Sequence, residues 1–495
     1  MNEKRYFKVF ARINGKSNVN YLNLFDAIVE QDVHDEEELR KKFKGKKFIQ
    51  QLSVTKNYLY QLILKSMVLY QQSSSIDGQV RELLSRAEFL HSKSLYKESE
   101  TLVDKVIRIA KKYEQHYFIL EAFRLKRIIA TSIYDFEKVK FAHEEEIREL
   151  EFLENTRQFQ VLTDKMIAES YLKGITQDRG TGAKILIVHP LLRKEKNAKT
   201  FFAKRRMYSF FYLYYYSEGM FKKAHLYSKK NADLYLSNPH MKEYDTYGYL
   251  NTLQTMIGGS TMLGKVSETE FWIEKLKESE KYIRTQTQEV FLFSLSYHIL
   301  NYYNSIGDSK SSIQYCEKHI FKKMEDYKKD LGPVATYALL LFSAISYFHA
   351  GDFRKALSLM NRIKNEIKIE VLPDTTSFEK IFYILIHFEL KNVDLLPYLI
   401  KSAYRFILKM EKLDGFQKVF LGFFRTLLVR DVISPAEQKK LFTSLKIELI
   451  KTQRSSLRLR AAQEFDYISW LESKIENKSF AKVVRNKTIK KLVAA

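Results

Sequence analysis

The chain has 495 residues, 45% of them apolar, and its 83 lysines and arginines outnumber 59 acids to leave a net charge of +24. That balance supplies enough apolar surface for buried cores and excludes global disorder. Sixteen glycines and six prolines are too few for the many turns of a β-sandwich or barrel, and the single cysteine, Cys316, excludes an internal disulfide and any multi-cysteine metal centre.

A lone thiol suits a reducing compartment. Residues 1–8 lack the apolar stretch of a secretion signal. The longest apolar run, 337–348, has 12 residues, against the about 20 that a bilayer span needs. The expectation is a cytoplasmic chain with no membrane partner.

The first predicted helix, 18–30, places Tyr21, Leu22, Leu24, Phe25 and Ile28 on one side. Acids at 35–38 followed by Arg40, Lys41 and Lys42 suit a short second helix, with negative charge at its positive end and positive charge at its negative end. Residues 48–70 are apolar-periodic, and the polar run 71–78 reads as a domain boundary. Within this region residues 48–62 resemble a helix-turn-helix, with Ser53 at the turn and Ile49, Val54, Leu59 and Leu62 at the apolar positions. The resemblance implies that Thr55, Lys56, Asn57, Tyr60 and Gln61 face a DNA groove, with Lys44, Lys46 and Lys47 close to phosphate. The other reading of 1–78 is a helical cap made of an ordinary first hairpin.

Helical pairs follow from residue 79. Residues 79–93 turn at Ser94 to Tyr96 into 97–113. Residues 116–133 turn at Tyr134 to Phe136 into a helix carrying Glu144, Glu145, Glu146, Glu149, Glu151 and Glu154, whose acids read as a solvated face. A further helix ends near Gly174. After a loop at 177–183, residues 198–216 turn at Gly219 and Phe221, and 244–261 turn at Gly264 and Val266. Residues 285–305 turn at Gly307 and Ser309. Pro333 opens a helix that reaches Gly351 and Phe353, and 377–390 turn near Asn392 and Val393. Further helices run to about 476, and 477–495 form a basic tail. The turn residues Phe221, Val266, Ser309, Phe353 and Val393 are spaced by 45, 43, 44 and 40, the mark of a repeated supersecondary unit.

The strongest copy of that unit carries Ala344, Tyr347, Gly351, Phe353 and Ala356, and it resembles a tetratricopeptide repeat. Weaker copies carry Tyr215, Gly219, Phe221 and Ala224; Tyr303, Gly307 and Ser312; and Ala87, Tyr96 and Ser99. Small residues let paired helices approach closely, and rings fill the gaps between pairs. The family repeats every 34 residues and this chain about every 44, so its helices are longer. The resemblance covers 79–430. It implies an all-α fold, an α-solenoid of about eight or nine stacked antiparallel hairpins over 79–476, with a concave face that cradles a protein or peptide segment. It implies no chemistry and no cofactor.

Three clusters hold +18 of the net charge: 40–47, 193–206 and 478–495. Such clusters attract polyanions. In the second, Lys204, Arg205 and Arg206 are candidates for an acidic partner or nucleic acid. Two catalytic patterns fail. Gly259 to Val266 nearly spells a phosphate loop, but it lacks the hydroxyl residue after Lys265 and the preceding strand. His143 and Glu144 open a zinc-protease pattern in which Ile147 replaces the second histidine. The expected function is therefore a non-catalytic scaffold or adaptor that binds a protein or peptide segment. The alternative is a nucleic-acid-binding regulator that reads DNA through 48–62.

Overall fold

The computed structural model describes residues 3–14, 19–31, 34–175, 181–367, 373–409, 415–428, 434–453 and 465–494. Among them there is no strand. The chain divides into two compact units, Met1–Leu153 and Glu154–Ala495. The first holds α1 (Glu3–Asn14), α2 (Val19–Val29), α3 (Glu36–Lys42), α4 (Leu52–Ser74), α5 (Ile76–Ser92), α6 (Tyr96–Lys112), α7 (His116–Ser132) and the start of α8 (Phe136–Ile175). The second continues with α9 (Thr181–Ile187), α10 (Phe201–Ser217), α11 (Phe221–Ser237), α12 (Met241–Tyr244), α13 (Thr246–Met262), α14 (Val266–Glu278), α15 (Gln286–Ser294), α16 (Tyr297–Ile306), α17 (Ser309–Tyr315) and α18 (Phe321–Asp326). It ends with α19 (Pro333–Ala350), α20 (Phe353–Glu366), α21 (Pro373–Glu389), α22 (Leu396–Lys409), α23 (Gly415–Leu428), α24 (Pro435–Gln453), α25 (Tyr467–Glu476) and α26 (Phe480–Ala494).

Among the described residues, nine turns share one construction. The residue after the helix takes a left-handed backbone, with φ between 49° and 83°. The next N–H then donates to the carbonyl five residues back at 2.8–3.0 Å, as in Leu95 to Leu90, Met220 to Tyr215, Asp308 to Tyr303 and Asp352 to Tyr347. This closes the helix end and satisfies a carbonyl that would otherwise be orphaned. In all of these turns but the one at Asn477, the donating residue also begins the next helix. Asp135, Asp308 and Asp352 accept from the backbone N–H of Lys138, Ser311 and Lys355, so each serves as an N-cap. Glycine fills the left-handed position at 219, 264, 307 and 351, and Ser94, Glu114, Tyr134, Lys391 and Asn477 fill it elsewhere. A side chain there costs about 1–2 kcal/mol. Tyr134 carries that strain with 81% of its surface exposed. Tyr134→Gly is therefore expected to raise stability by about 1 kcal/mol in urea denaturation; a loss would mean that the ring makes contacts that outweigh the strain.

Several side chains also bond across a similar sequence distance. Thr156 meets Thr200, Thr163 donates to the Arg206 carbonyl, His225 meets Glu268, and Gln254 donates to Tyr297, at separations of 43 or 44 residues. Arg284 to Glu243 and Gln286 to Asp330 continue the series at 41 and 44.

The largest apolar cluster of the second unit surrounds α19. Residues 339–349 are buried on every side of this helix, as its apolar composition all round requires. Phe378, Phe382, Phe420, Phe424 and Trp470 pack into the same cluster. By length and composition α19 could cross a bilayer; here its side chains are mostly buried within the protein.

His298 and His349 are buried with this cluster, and burial pushes both imidazoles down to about 3. The unfolded chain therefore takes up protons first as pH falls. Stability from each histidine is complete above about 6.5 and is lost at about 1.4 kcal/mol per pH unit below that, down to about 3. Urea midpoints should drop steeply between pH 7 and pH 5, and His349→Gln should flatten the slope. An unchanged slope would contradict the assignment.

Several boundaries differ from the sequence expectation. Residues 136–174, read as two helices, form the single helix α8. Residues 285–305, read as one helix, break between α15 and α16, where Ser296 begins the second. The segment 477–495, read as a basic tail, contains α26. Its Phe480, Val483 and Val484 are buried, and it packs on α16, α19 and α25.

Candidate functional site

In the second unit α10 packs on α11, and α11 on α13. Thr200 starts α10 by accepting from the Ala203 N–H at 3.0 Å. From there Arg205, Ser209 and Tyr212 follow at spacings of four and three, so they share a face. With Ser228 and Asn231 of α11 and Gly248, Asn251, Thr252 and Thr255 of α13, they line a polar cleft of about 60 Å³.

Three of the cleft's buried polar atoms are unsatisfied, Arg205 Nε among them. The Asn231 amide donates to Ser209 Oγ at 3.2 Å, but Asn231 Oδ1 and Ser228 Oγ meet no hydrogen-bond partner among the described residues. The two residues are 7% and 1% exposed. A buried acceptor without a donor costs about 1–3 kcal/mol, so these two atoms suit a donor supplied by water or by a ligand.

Below it runs a charged chain. Asp245 caps α13, its Oδ1 accepting from the Gly248 N–H at 3.3 Å. Its Oδ2 accepts from the Tyr235 hydroxyl at 2.6 Å and lies 3.2 Å from Arg205 Nε. The Arg205 Nε–H is not aligned on that oxygen and remains unsatisfied. Burial, then Asp245, pushes the Tyr235 hydroxyl well above its ordinary pKa, so it stays a donor. Gly248 makes the chain possible: a Cβ there would sit 2.2 Å from Asp245 Oδ2 and 2.3 Å from the Tyr235 hydroxyl.

The predicted basic triplet is not one patch, because consecutive helical residues point about 100° apart. Hydrogen bonds from Lys230 and Tyr208, with the added charge of Lys204, hold the Glu195 carboxyl below its usual range. Arg205 meets Asp245. Arg206 has no ion-pair partner among the described residues, and burial, then Arg205, lowers its pKa. Its guanidinium remains charged at any physiological pH, and the carboxylates of Asp164 and Asp245 act on it from beyond ion-pair distance.

The other predicted residues are placed as follows. Ala344, Tyr347 and Ala356 are buried where α19 meets α20, Gly351 is the left-handed turn between them, and Phe353 begins α20. Gly219, Phe221 and Ala224 form the corresponding turn of α10 and α11, and Gly307 that of α16 and α17.

The turn expected at Ser53 is absent. Residues 47–51 form a short 3-10 turn, and α4 then runs unbroken through Ser53 to Ser74. No residue there takes the left-handed backbone that a sharp reversal requires, and the apolar positions Leu52 and Leu59 continue one buried stripe. Val54, expected inside, is exposed. Thr55, expected in a groove, is buried and donates to the Gln51 carbonyl at 3.0 Å. Lys56 pairs with Glu36, while Asn57 and Tyr60 are exposed. The groove-facing set is therefore split between inside and outside.

Sequence reasoning missed Ser209, Ser228, Asn231, Tyr235, Asp245 and Gly248. Asp245 ahead of Thr246 was the one available signal, an N-cap preceding an apolar helix.

No family model matches the chain, and neither the curated proteins nor the solved structures hold a significant match to it.

Proposed function

We propose that this chain is a non-catalytic scaffold, an α-solenoid of about eight or nine stacked tetratricopeptide-like hairpins, that holds a protein or peptide segment in the cleft of α10, α11 and α13. The shared turn construction and the 41–44-residue bonding interval support the stacking. The observation that carries the binding is the pair of buried, unsatisfied atoms, Asn231 Oδ1 and Ser228 Oγ. An extended peptide presents an N–H donor and a carbonyl acceptor at each residue, and an acidic side chain on it would meet Arg206.

Peptide display against the full chain tests this. Selected peptides should carry acids, and Asn231→Ala and Arg206→Glu should each weaken them about tenfold, or about 1.4 kcal/mol. Peptides that bind both variants as well as the original chain would refute the cleft as the site.

A further inference from the structure

The first unit presents a second surface, independent of that cleft. Along the start of α8, Phe136, Lys140, His143, Ile147 and Leu150 follow at alternating spacings of four and three, the seam of a two-helix coil. Its apolar members face outward: Phe136 is 68% exposed, Ile147 59% and Leu150 53%. The His143 side chain is 62% exposed. Immediately beside the seam, Glu137, Glu144 and Glu151 recur every seven residues, all exposed. The ridge runs for about 22 Å at a rise of about 1.5 Å per residue. An acidic row of this regularity stands out on a chain of net charge +24.

Charge selects the occupant. In an antiparallel pair of these seams the three glutamates would face their own copies. In a parallel pair they would face Val139, Glu146 and Leu153, which supply no cation. A second copy of this chain is therefore a poor fit in either orientation. A helix with lysine or arginine flanking an apolar seam satisfies both the ridge and the row.

We propose that the outward face of α8 docks a basic amphipathic helix of another protein, pairing it through Phe136, Ile147 and Leu150 and orienting it through Glu137, Glu144 and Glu151. The probe is a fluorescein-labelled three-heptad peptide with leucine at its seam and lysine at both flanks, titrated into the full chain and followed by anisotropy. The expected result is saturable binding that weakens at least tenfold in Leu150→Asp and in Glu144→Lys, and that falls between 50 and 500 mM salt. A glutamate-flanked peptide should not bind, and Asn231→Ala, in the cleft of the second unit, should change nothing. Because Glu144 and Leu150 are solvent-facing, Leu150→Asp and Glu144→Lys should melt like the original chain. Absence of binding, or equal binding by Leu150→Asp, would overturn the proposal. So would a chain that sediments as a dimer and is returned to monomer by Leu150→Asp.

Discussion

Gly307→Ala is expected to cost about 3 kcal/mol, the sum of a left-handed side chain and an overpacked contact, and to loosen the C-terminal helix. Gly307 has φ +73°, and a Cβ built on it would lie 2.5 Å from the Ala481 carbonyl oxygen and 2.6 Å from the Arg485 nitrogen. Both are backbone atoms of α26, so no rotamer change relieves the clash. Either α26 moves away from the turn or the turn rebuilds. Gly351 is the natural control. Its φ is +83°, and nothing lies within 4 Å of the equivalent Cβ, so Gly351→Ala should carry only the backbone cost of about 1–2 kcal/mol. Urea denaturation gives the difference between the two variants. Amide exchange over 480–494 locates it, faster in Gly307→Ala and unchanged in Gly351→Ala. Equal costs would mean that α26 does not rest on this turn.

That pair of glycines also shows what could be read in advance. Glycine is the residue that adopts the left-handed backbone without cost, so Gly219, Gly264, Gly307 and Gly351 marked their turns directly. The same turn at Glu114 bears a charged residue that the sequence alone would place in an ordinary helix end. Nothing at Gly307 distinguished it from Gly351, because the contact that separates them comes from a helix more than 170 residues later. In turn that helix was hidden by its own charge. Phe480, Val483 and Val484 mark its buried side, but six basic residues over 478–495 dominate the composition.

The cleft was less legible for a different reason. Ser228 and Asn231 are ordinary polar residues until the absence of a partner is seen, and absence leaves no pattern in a sequence. The Lys204, Arg205 and Arg206 cluster misled in the opposite way. Adjacent charges look like one patch on paper, while the helix sends Lys204 toward Glu195, Arg205 to Asp245, and Arg206 to a half-buried place with no ion pair among the described residues. The apparent helix-turn-helix failed because apolar spacing at 49, 54, 59 and 62 suits a broken helix and a continuous one nearly equally.

The acids of α8 invert the expected polarity of a helix, and this inversion sets the second large effect. Glu144 to Glu146 read as a solvated face, yet Glu145 and Glu149 are buried while Phe136, Ile147 and Leu150 face outward. Glu145 is held by Lys111 at 2.8 Å and by Arg148. Glu149 lies 2.6 Å from His116 Nδ1, and His116 is itself buried. Removing one partner of a buried pair strands the other. Glu149→Ala is therefore expected to cost about 3 kcal/mol, whereas replacing both partners with apolar groups of similar size, as in His116→Phe with Glu149→Leu, should stay within about 1 kcal/mol of the original chain. Chemical denaturation of His116→Phe, Glu149→Leu and the double completes the cycle. A double variant as unstable as Glu149→Ala would show that the pair contributes stability of its own. A double variant near the original would show that the inward glutamate is tolerated rather than required, and that stability alone does not explain why α8 turns carboxylates inward and apolar side chains out.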